Sequence, residues 1–134
     1  MLRYRTFPTT ADLGVFVYGK SPEEVFENLA YALRKIVGGN KKLAGSGEKT
    51  IKLDFPSLEM GFFLWASELL FLYDTEKILP SRARVRLSST DLQARVLEGK
   101  LLSPPQVYIK AVTMHRLSFM KIKGRWRASL VFDL

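Results

Sequence analysis

Hydrophobic and polar residues alternate along much of this 134-residue chain, and two stretches with helical spacing interrupt the alternation. Residues 2–7 and 13–18 show the period of two that is typical of strands, and the polar residues 8–12 between them predict a loop. Residues 50–55 alternate in the same way, whereas the Gly- and Lys-rich residues 40–49 predict a surface loop. The N-terminal part of the chain therefore predicts three strands.

Two helices are signalled among these strands. Residues 21–24, Ser-Pro-Glu-Glu, have the spacing of a helix N-cap with its capping box, and the glycines at 38–39 supply the end of that helix. The second helix covers about residues 57–73 and is apolar on nearly every side, so we expect it to be the central helix, covered all round. Its apolar run is interrupted well short of the roughly 18 residues that a membrane span needs.

From Pro80 onward the period is two again, and the predicted strands are residues 82–87, 92–96, 107–111, 117–123 and 125–132. The last two form a hairpin that turns at Gly124, and residues 101–105, with their paired prolines, predict a loop. Antiparallel strands packed with two helices predict an α+β fold. Neither a repeat nor a linker divides the chain, so we expect one domain over residues 1–134.

The composition narrows the classes of function. Lys and Arg number 21 against 13 Asp and Glu, and the resulting net charge of +8 favours an anionic partner such as RNA, a nucleotide or an acidic protein face. The absence of cysteine excludes disulfides and thiolate metal sites. The first residues lack the apolar run of a signal peptide, so we expect a cytoplasmic protein that does not associate with membranes.

The basic stripe Arg82, Arg84 and Arg86 lies on one face of a predicted strand. Guanidinium groups suit phosphates, RNA or an acidic partner, and a plain solvated strand face is the alternative. The run Gly45–Thr50 looks like a phosphate loop, but Glu48 interrupts the required Gly-Lys pair and a strand follows. We do not predict nucleotide binding at this run.

Two single residues each have a functional and a structural interpretation. His115 is the only histidine, which excludes zinc sites built from several histidines and leaves either a role beside a site or a surface position. Glu68 lies in the apolar helix, where a carboxylate must find a partner or shift its pKa. It is either a functional carboxylate or half of a structural ion pair. We predict no catalytic residue.

Asp12 and Asp133 are candidate ligands for a hard divalent cation. Asp12 lies just before a predicted strand, and Asp133 lies on the polar face of the last strand. Two carboxylates suffice for Mg²⁺ or Ca²⁺ when water or phosphate supplies the remaining oxygen ligands. The sequence does not establish that the two residues meet, and two separate, solvated aspartates are the alternative.

Read in order, several blocks of the chain resemble the archease family. They are Pro8-Thr-Thr-Ala-Asp-Leu-Gly14, Ser21-Pro-Glu-Glu-Val-Phe26, Trp65-Ala-Ser-Glu-Leu-Leu70, Lys110-Ala-Val-Thr-Met-His115 and the final Asp133-Leu134. The resemblance covers nearly the whole chain, and the block from Lys110 to His115 is its most specific part.

The resemblance implies a non-enzymatic accessory factor of the RNA ligase that joins a 2′,3′-cyclic phosphate or 3′-phosphate end to a 5′-hydroxyl end in tRNA splicing and RNA repair. Such a factor promotes guanylylation of the ligase from GTP and allows multiple turnover. The resemblance also implies a divalent cation, Ca²⁺ or Mg²⁺, held by Asp12 and Asp133. We expect Lys110 and His115 to flank this site and Glu68 to support it from the helix.

Three positions depart from the family pattern. Pro8 and Thr9 stand where the family has an acidic residue and a histidine, and Lys100 stands where it has a glutamate. Fewer carboxylates and an added cation weaken the binding of a hard cation, so we expect low metal affinity or different ligands.

Two other functions stay open at the level of the sequence. One is an RNA- or protein-binding chaperone that modulates a tRNA-modifying enzyme such as a tRNA methyltransferase. The other is a metal-dependent phosphohydrolase that uses the same aspartates. RNA binding that falls steeply with salt would mark an RNA-binding module, and phosphate release from a nucleotide without any ligase would mark the hydrolase.

Overall fold

A computed structural model describes residues 2–134, which form seven strands and two helices. In chain order these are β1 (Tyr4–Pro8), β2 (Asp12–Gly19), α1 (Pro22–Gly38), β3 (Leu43–Asp54), α2 (Leu58–Glu76), β4 (Leu79–Leu87), β5 (Asp91–Leu101), β6 (Ala111–Ile122) and β7 (Arg125–Asp133). The strands form two antiparallel sheets, one of four strands in the order β1-β2-β7-β6 and one of three in the order β3-β5-β4. The α+β prediction is confirmed.

Both helices begin where their caps predict. The Ser21 hydroxyl accepts a hydrogen bond from the Glu24 N–H at 3.1 Å, and the Ser57 hydroxyl accepts one from the Met60 N–H at 3.2 Å. These bonds satisfy N–H groups that a helix leaves unpaired in its first turn. Helix α1 ends at Gly39, whose φ of 62° costs glycine little because it has no Cβ.

One hydrophobic core joins the two helices to the inner faces of both sheets. Trp65 of α2 is fully buried and its Nε1 donates a hydrogen bond to the Phe26 carbonyl of α1 at 2.9 Å. Rings from both helices and the β6–β7 hairpin pack in contact, with Phe119 lying 5.7 Å from Phe26 and 5.8 Å from Phe62 between ring centroids. The aromatic contacts tie the helical layer to the four-stranded sheet.

The free edge of β4 is covered by side chains of α1. A Glu27 carboxylate oxygen accepts from the Val85 N–H at 2.9 Å, and the Arg34 guanidinium donates to the Ser81 carbonyl at 3.1 Å. Unpaired edge groups are templates for association with other strands. Helix α1 therefore closes the edge of the three-stranded sheet at this point.

Several predicted boundaries were wrong. Pro8 ends β1 and Asp12 begins β2, so the loop between them is residues 9–11. Residues 43–49, predicted as a loop, form the first part of β3, because the long strand β5 pairs with them across a bulge between Gly45 and Gly47. Residues 107–110 were predicted as part of a strand but lie outside β6, which begins at Ala111.

Helix α2 differs from expectation in length and in burial. It continues to Glu76 and ends at Lys77, which has a left-handed φ of 57°. It is not covered all round, because Phe71 is 58% exposed and Glu68 is half-buried. No helix within residues 2–134 is both long enough and apolar enough to cross a bilayer. The hairpin turn was predicted correctly, and Lys123 and Gly124 both have positive φ, as a tight two-residue turn requires.

Candidate functional site

Asp12 and Asp133 lie directly opposite each other where β2 pairs with β7. Both residues are half-buried, and no ion pair or side-chain hydrogen bond involves either of them within the described part of the chain. Residues opposite each other in an antiparallel pair point their side chains to the same face, with Cβ atoms about 4.5–5.5 Å apart. The fold therefore brings together the two carboxylates that the sequence could only list.

The pair lies on the face of the four-stranded sheet that points away from the helices. Alternate residues of a strand face opposite sides, and the neighbouring set Val15, Val17, Ala128, Leu130 and Phe132 is fully buried in the core shared with the helices. The carboxylates consequently belong to the outer face.

Aromatic and guanidinium groups are stacked on the same outer face. The Phe16 ring lies 4.8 Å from the guanidinium carbon of Arg5 and 4.8 Å from that of Arg127. Its centroid is 4.8 Å from the Phe7 ring, which in turn lies 5.6 Å from the guanidinium carbon of Arg116. Cations over ring faces are attracted by the ring quadrupole. This stack covers the middle of a sheet face that no helix covers.

Gly14 allows the Phe7 ring to lie flat on the sheet. A Cβ at position 14 would be 2.1 Å from two atoms of that ring, a distance no real contact reaches. Gly14 stands opposite Phe7 on β1 and Val131 on β7, and Val131 is only 1% exposed although it is on the outer face. Because residue 14 is a glycine, the Phe7 ring can cover the outer face of the sheet at this point, two residues from Asp12.

The three-residue loop between β1 and β2 contributes a further polar group. Ala11 has a φ of 65°, which turns the chain sharply into Asp12. The Thr9 hydroxyl is buried and has no hydrogen-bond partner within residues 2–134. Buried polar groups almost always have a partner, so an oxygen that lacks one, three residues from Asp12, suits a site that a solvated ion or ligand completes.

Lys110 lies just before β6, the strand beside Asp133, and His115 lies within β6. The Lys110 N–H donates to the Asp133 carbonyl at 2.8 Å, and Ala111 is the register partner of Asp133 on β6. His115 is exposed and sits in the irregular segment where the β6–β7 register shifts between Thr113 and Ser118. The block from Lys110 to His115 thus adjoins β7 near the candidate site, although neither side chain forms an ion pair with the aspartates in the described residues.

The other candidate residues are not brought to the aspartate pair. Glu68 lies on α2, which packs against the opposite face of the sheet, mainly on β6. Arg82, Arg84 and Arg86 lie on β4 of the other sheet, where all three are exposed. Lys100, one of the family departures, is also in that sheet and stands opposite Ala44.

The donor set fits a magnesium ion better than a calcium ion. Within residues 2–134 no group of three His, Asp or Glu side chains could hold a metal. Ca²⁺ takes six to eight oxygen ligands, whereas Mg²⁺ is commonly held by one or two carboxylates and completes its shell with water and phosphate. Asp12 and Asp133 match the second arrangement.

The chain is a small α+β protein whose second and last strands present opposed aspartates. Comparison with known proteins identifies its family. The model of the Archease protein family (MTH1598/TM1083) matches residues 4–134. The chain is 35% identical to a protein archease of Methanosarcina barkeri, over 98% of this chain and 96% of that protein. It is 32% identical to a protein archease of Thermococcus kodakarensis over the full length of both.

Solved structures show the same fold. The solution structure of protein 1598 of Methanobacterium thermoautotrophicum superposes with a TM-score of 0.87 at 28% identity, over 98% of this chain and 99% of the other. A crystal structure from Thermotoga maritima, described as an archease and possible chaperone, superposes with a TM-score of 0.70 at 23% identity, over 97% and 96%. The chain belongs to the archease family, as its motifs predict.

The aromatic and guanidinium stack beside the aspartates was not predicted from the sequence. Its signal is the spacing of the residues, because Arg5 and Phe7 share one face of β1 and Phe16 and Tyr18 share one face of β2.

Proposed function

We propose that this protein is an accessory factor of an RNA ligase of the type that joins 3′-phosphate and 5′-hydroxyl ends. In this role it promotes guanylylation of the ligase from GTP and supports repeated turnover. Family membership supports an accessory role. The observation that carries the proposal furthest is the direct opposition of Asp12 and Asp133 on an open sheet face.

The residues around the pair suit work on a nucleotide held by another protein. Both carboxylates lie at the end of the sheet, where a partner can approach them without displacing a helix. A divalent cation bound there would supply positive charge to phosphate oxygens, which complete its coordination shell. Lys110, whose main-chain N–H bonds to the Asp133 carbonyl, and His115 on β6 are both exposed, and they offer a cation and a hydrogen-bonding group on the segment that adjoins β7.

The proposal is tested by single-turnover guanylylation of the cognate ligase with labelled GTP and magnesium. Saturating wild-type protein should increase the rate or extent of guanylylation, and Asp12→Asn and Asp133→Asn should each remove most of this increase. Asp54→Asn is the matched control, because Asp54 also stands opposite an aspartate, Asp91, but in the other sheet. It should activate like the wild type.

Two results would count against the proposal. Equal guanylylation with and without saturating wild-type protein would remove the accessory role. Phosphate release from GTP in the absence of ligase would instead favour the metal-dependent phosphohydrolase.

A second candidate, a chaperone-like modulator of a tRNA-modifying enzyme, is favoured by one specific feature. The edge strand β6 exposes three apolar side chains, with Met114 53%, Met120 40% and Ile122 37% exposed. Flexible methionines on an edge strand suit adaptable contacts with a partner.

Light scattering tests this role. The wild type should suppress aggregation of a heat-stressed tRNA methyltransferase, and a double variant, Met114→Glu with Met120→Glu, should not. Equal suppression by both proteins would exclude this edge as the contact surface.

A further inference from the structure

The outer face of the three-stranded sheet carries more cations than carboxylates, and the cations are concentrated on β4. Along its strands, residues that are buried in the core, such as Ile51, Val85 and Ala94, alternate with residues that face away from the core. The outward set includes five exposed cations, Lys52, Arg82, Arg84, Arg86 and Arg95, against three carboxylates, Glu48, Asp54 and Asp91, of which the two aspartates stand opposite each other at one end of the β3–β5 ladder. The cations lie on all three strands of the sheet, so the charge covers a surface and is not confined to a single stripe.

Most of this charge has no internal partner. Arg95 forms an ion pair with Glu48, whose carboxylate lies 2.7 Å from the guanidinium, and both side chains are largely exposed. Within residues 2–134, no carboxylate lies within 4 Å of the other four cations. Arg84 stands directly opposite Arg95 in the β4–β5 ladder. Like charges in this arrangement destabilise a sheet. Glu48 offsets the charge of Arg95 but no carboxylate offsets that of Arg84, so Arg84 is left for a bound anion.

The face is concave and open. It encloses about 820 Å³, bounded by the arginines of β4 and β5 and by Glu27 of α1 at the rim. Glu27 does not neutralise the arginines through an ion pair, because its carboxylate accepts the Val85 N–H at the strand edge. The concavity therefore offers guanidinium groups to an incoming ligand.

We propose that this face binds RNA through its sugar–phosphate backbone. Arg82, Arg84 and Arg86 follow one another on one side of β4, about 6.8 Å apart, because each residue of a strand advances about 3.4 Å. A regular row of guanidiniums matches a polymer whose charges repeat regularly, and each guanidinium can hold a phosphate through two parallel hydrogen bonds. An acidic protein surface matches this row only where its carboxylates stand at alternate positions of an extended strand.

The neutral residues of the face indicate how RNA would be recognised. Gln93 and Thr50, both exposed between the cations, can hydrogen-bond phosphate and sugar oxygens. The outward positions carry no aromatic residue on which bases could stack, and Leu97 is the apolar residue at the centre. Contacts to the backbone without base stacking predict binding that is insensitive to sequence and sensitive to salt.

Fluorescence anisotropy with short labelled single-stranded RNAs of two unrelated sequences tests the proposal. Wild-type protein should bind both with similar affinity at low salt. The triple variant Arg82→Gln, Arg84→Gln, Arg86→Gln should bind roughly 100-fold more weakly at about 0.1 M salt, and the slope of log K against log salt should fall by about 2, because each lost phosphate contact contributes about 0.7.

A matched control separates this surface from net charge. Lys20→Gln, Lys42→Gln, Arg125→Gln removes three exposed cations elsewhere and lowers the charge by the same amount. It should leave the slope unchanged and lower the affinity less than threefold. A third variant, with the three β4 arginines changed to lysine, should keep the slope and so show that the sheet is intact.

Three results would overturn the proposal: no binding of RNA by the wild type at low salt, equal losses in the control and the arginine variant, or displacement of RNA by a polyglutamate peptide at equal charge concentration. The last would assign the face to an acidic protein. Because the assay contains no ligase, its outcome is independent of whether the protein activates one.

Discussion

Replacing Asp12 with asparagine should change the stability of this protein in opposite directions without and with magnesium. Asp12 and Asp133 are opposed in the β2–β7 ladder, and neither forms a side-chain hydrogen bond or ion pair in the described part of the chain. Two unit charges about 5 Å apart repel by about 0.8 kcal/mol at the dielectric constant of water. Asparagine has nearly the same shape but no charge. In EDTA the variant should therefore be more stable by about 0.5–1 kcal/mol, with a Tm higher by about 2–4 °C.

Magnesium should reverse this order. An ion that binds only the folded state stabilises it by about 2.7 kcal/mol at a concentration about 100 times Kd. The wild type has two carboxylate ligands, whereas the Asp12→Asn variant has one and should gain much less. The two curves of Tm against magnesium concentration are expected to cross, and the position of the crossing measures the affinity of the wild-type site.

The control again uses the opposed aspartates of the other sheet. Asp54 faces Asp91 across the β3–β5 ladder, and Asp91 also accepts a hydrogen bond from the Ser88 hydroxyl. Asp54→Asn should relieve repulsion in EDTA as Asp12→Asn does, yet retain the full magnesium response. Thermal unfolding followed by circular dichroism measures all three proteins.

The reasoning fails if the Asp12→Asn variant is less stable than the wild type in EDTA, because the opposed carboxylates would then not repel. The metal assignment fails separately if magnesium does not raise the Tm of the wild type, or if Asp54→Asn removes the response and Asp12→Asn does not.

Three further predictions concern the fold around the site and the core. Gly14→Ala should destabilise the protein by about 1–3 kcal/mol in urea unfolding, because its Cβ would meet the Phe7 ring at 2.1 Å, and adding Phe7→Ala should recover part of the loss. Trp65→Phe should cost about 2 kcal/mol in the same assay, since it removes the bond to the Phe26 carbonyl and leaves space in the core. Burial, and then the neighbouring Tyr31, raise the pKa of Tyr4 above its ordinary value of 10.0, so the folded state keeps this proton to higher pH than the unfolded state. Stability should therefore fall as pH rises above 10, less steeply in Tyr4→Phe, and equal slopes would contradict this account.

The helices were predictable because their signals are local. Ser21 and Ser57 each cap a helix through atoms three residues away, and the glycines at 38–39 mark the end of α1, where Gln106 also donates hydrogen bonds to the last carbonyls of the helix. The start of β3 was not predictable in this way. Its Gly- and Lys-rich residues 43–49 have low strand propensity, and their structure depends on pairing with β5, which lies about fifty residues away in sequence. Residues 107–110 show the converse, since they have the pattern of a strand but no partner in a ladder.

The site was predictable as a list of residues but not as an arrangement. Asp12 and Asp133 are 121 positions apart in the sequence, and their meeting depends on β7 pairing with β2 as well as with β6. The hydrophobic pattern does not specify that β2 is the strand beside β7. The resemblance to the family implies that both residues bind a cation, and the sheet order brings them opposite each other.

The two open sheet faces share an arrangement that local stability does not favour. One face opposes two carboxylates, Asp12 and Asp133, and the other opposes two guanidiniums, Arg84 and Arg95. Sequences usually agree with their fold at every level and depart from it at functional sites. Asp54 and Asp91 show that an opposed pair can be accommodated structurally, since a hydroxyl in the adjoining turn binds one of them. No such hydroxyl binds Asp12 or Asp133 among the described residues. Likewise, no carboxylate in that part of the chain lies within 4 Å of the Arg84 guanidinium. A cation on one face would offset the repulsion between two carboxylates, and a phosphate chain on the other would give Arg84 the counter-charge that Arg95 already has in Glu48.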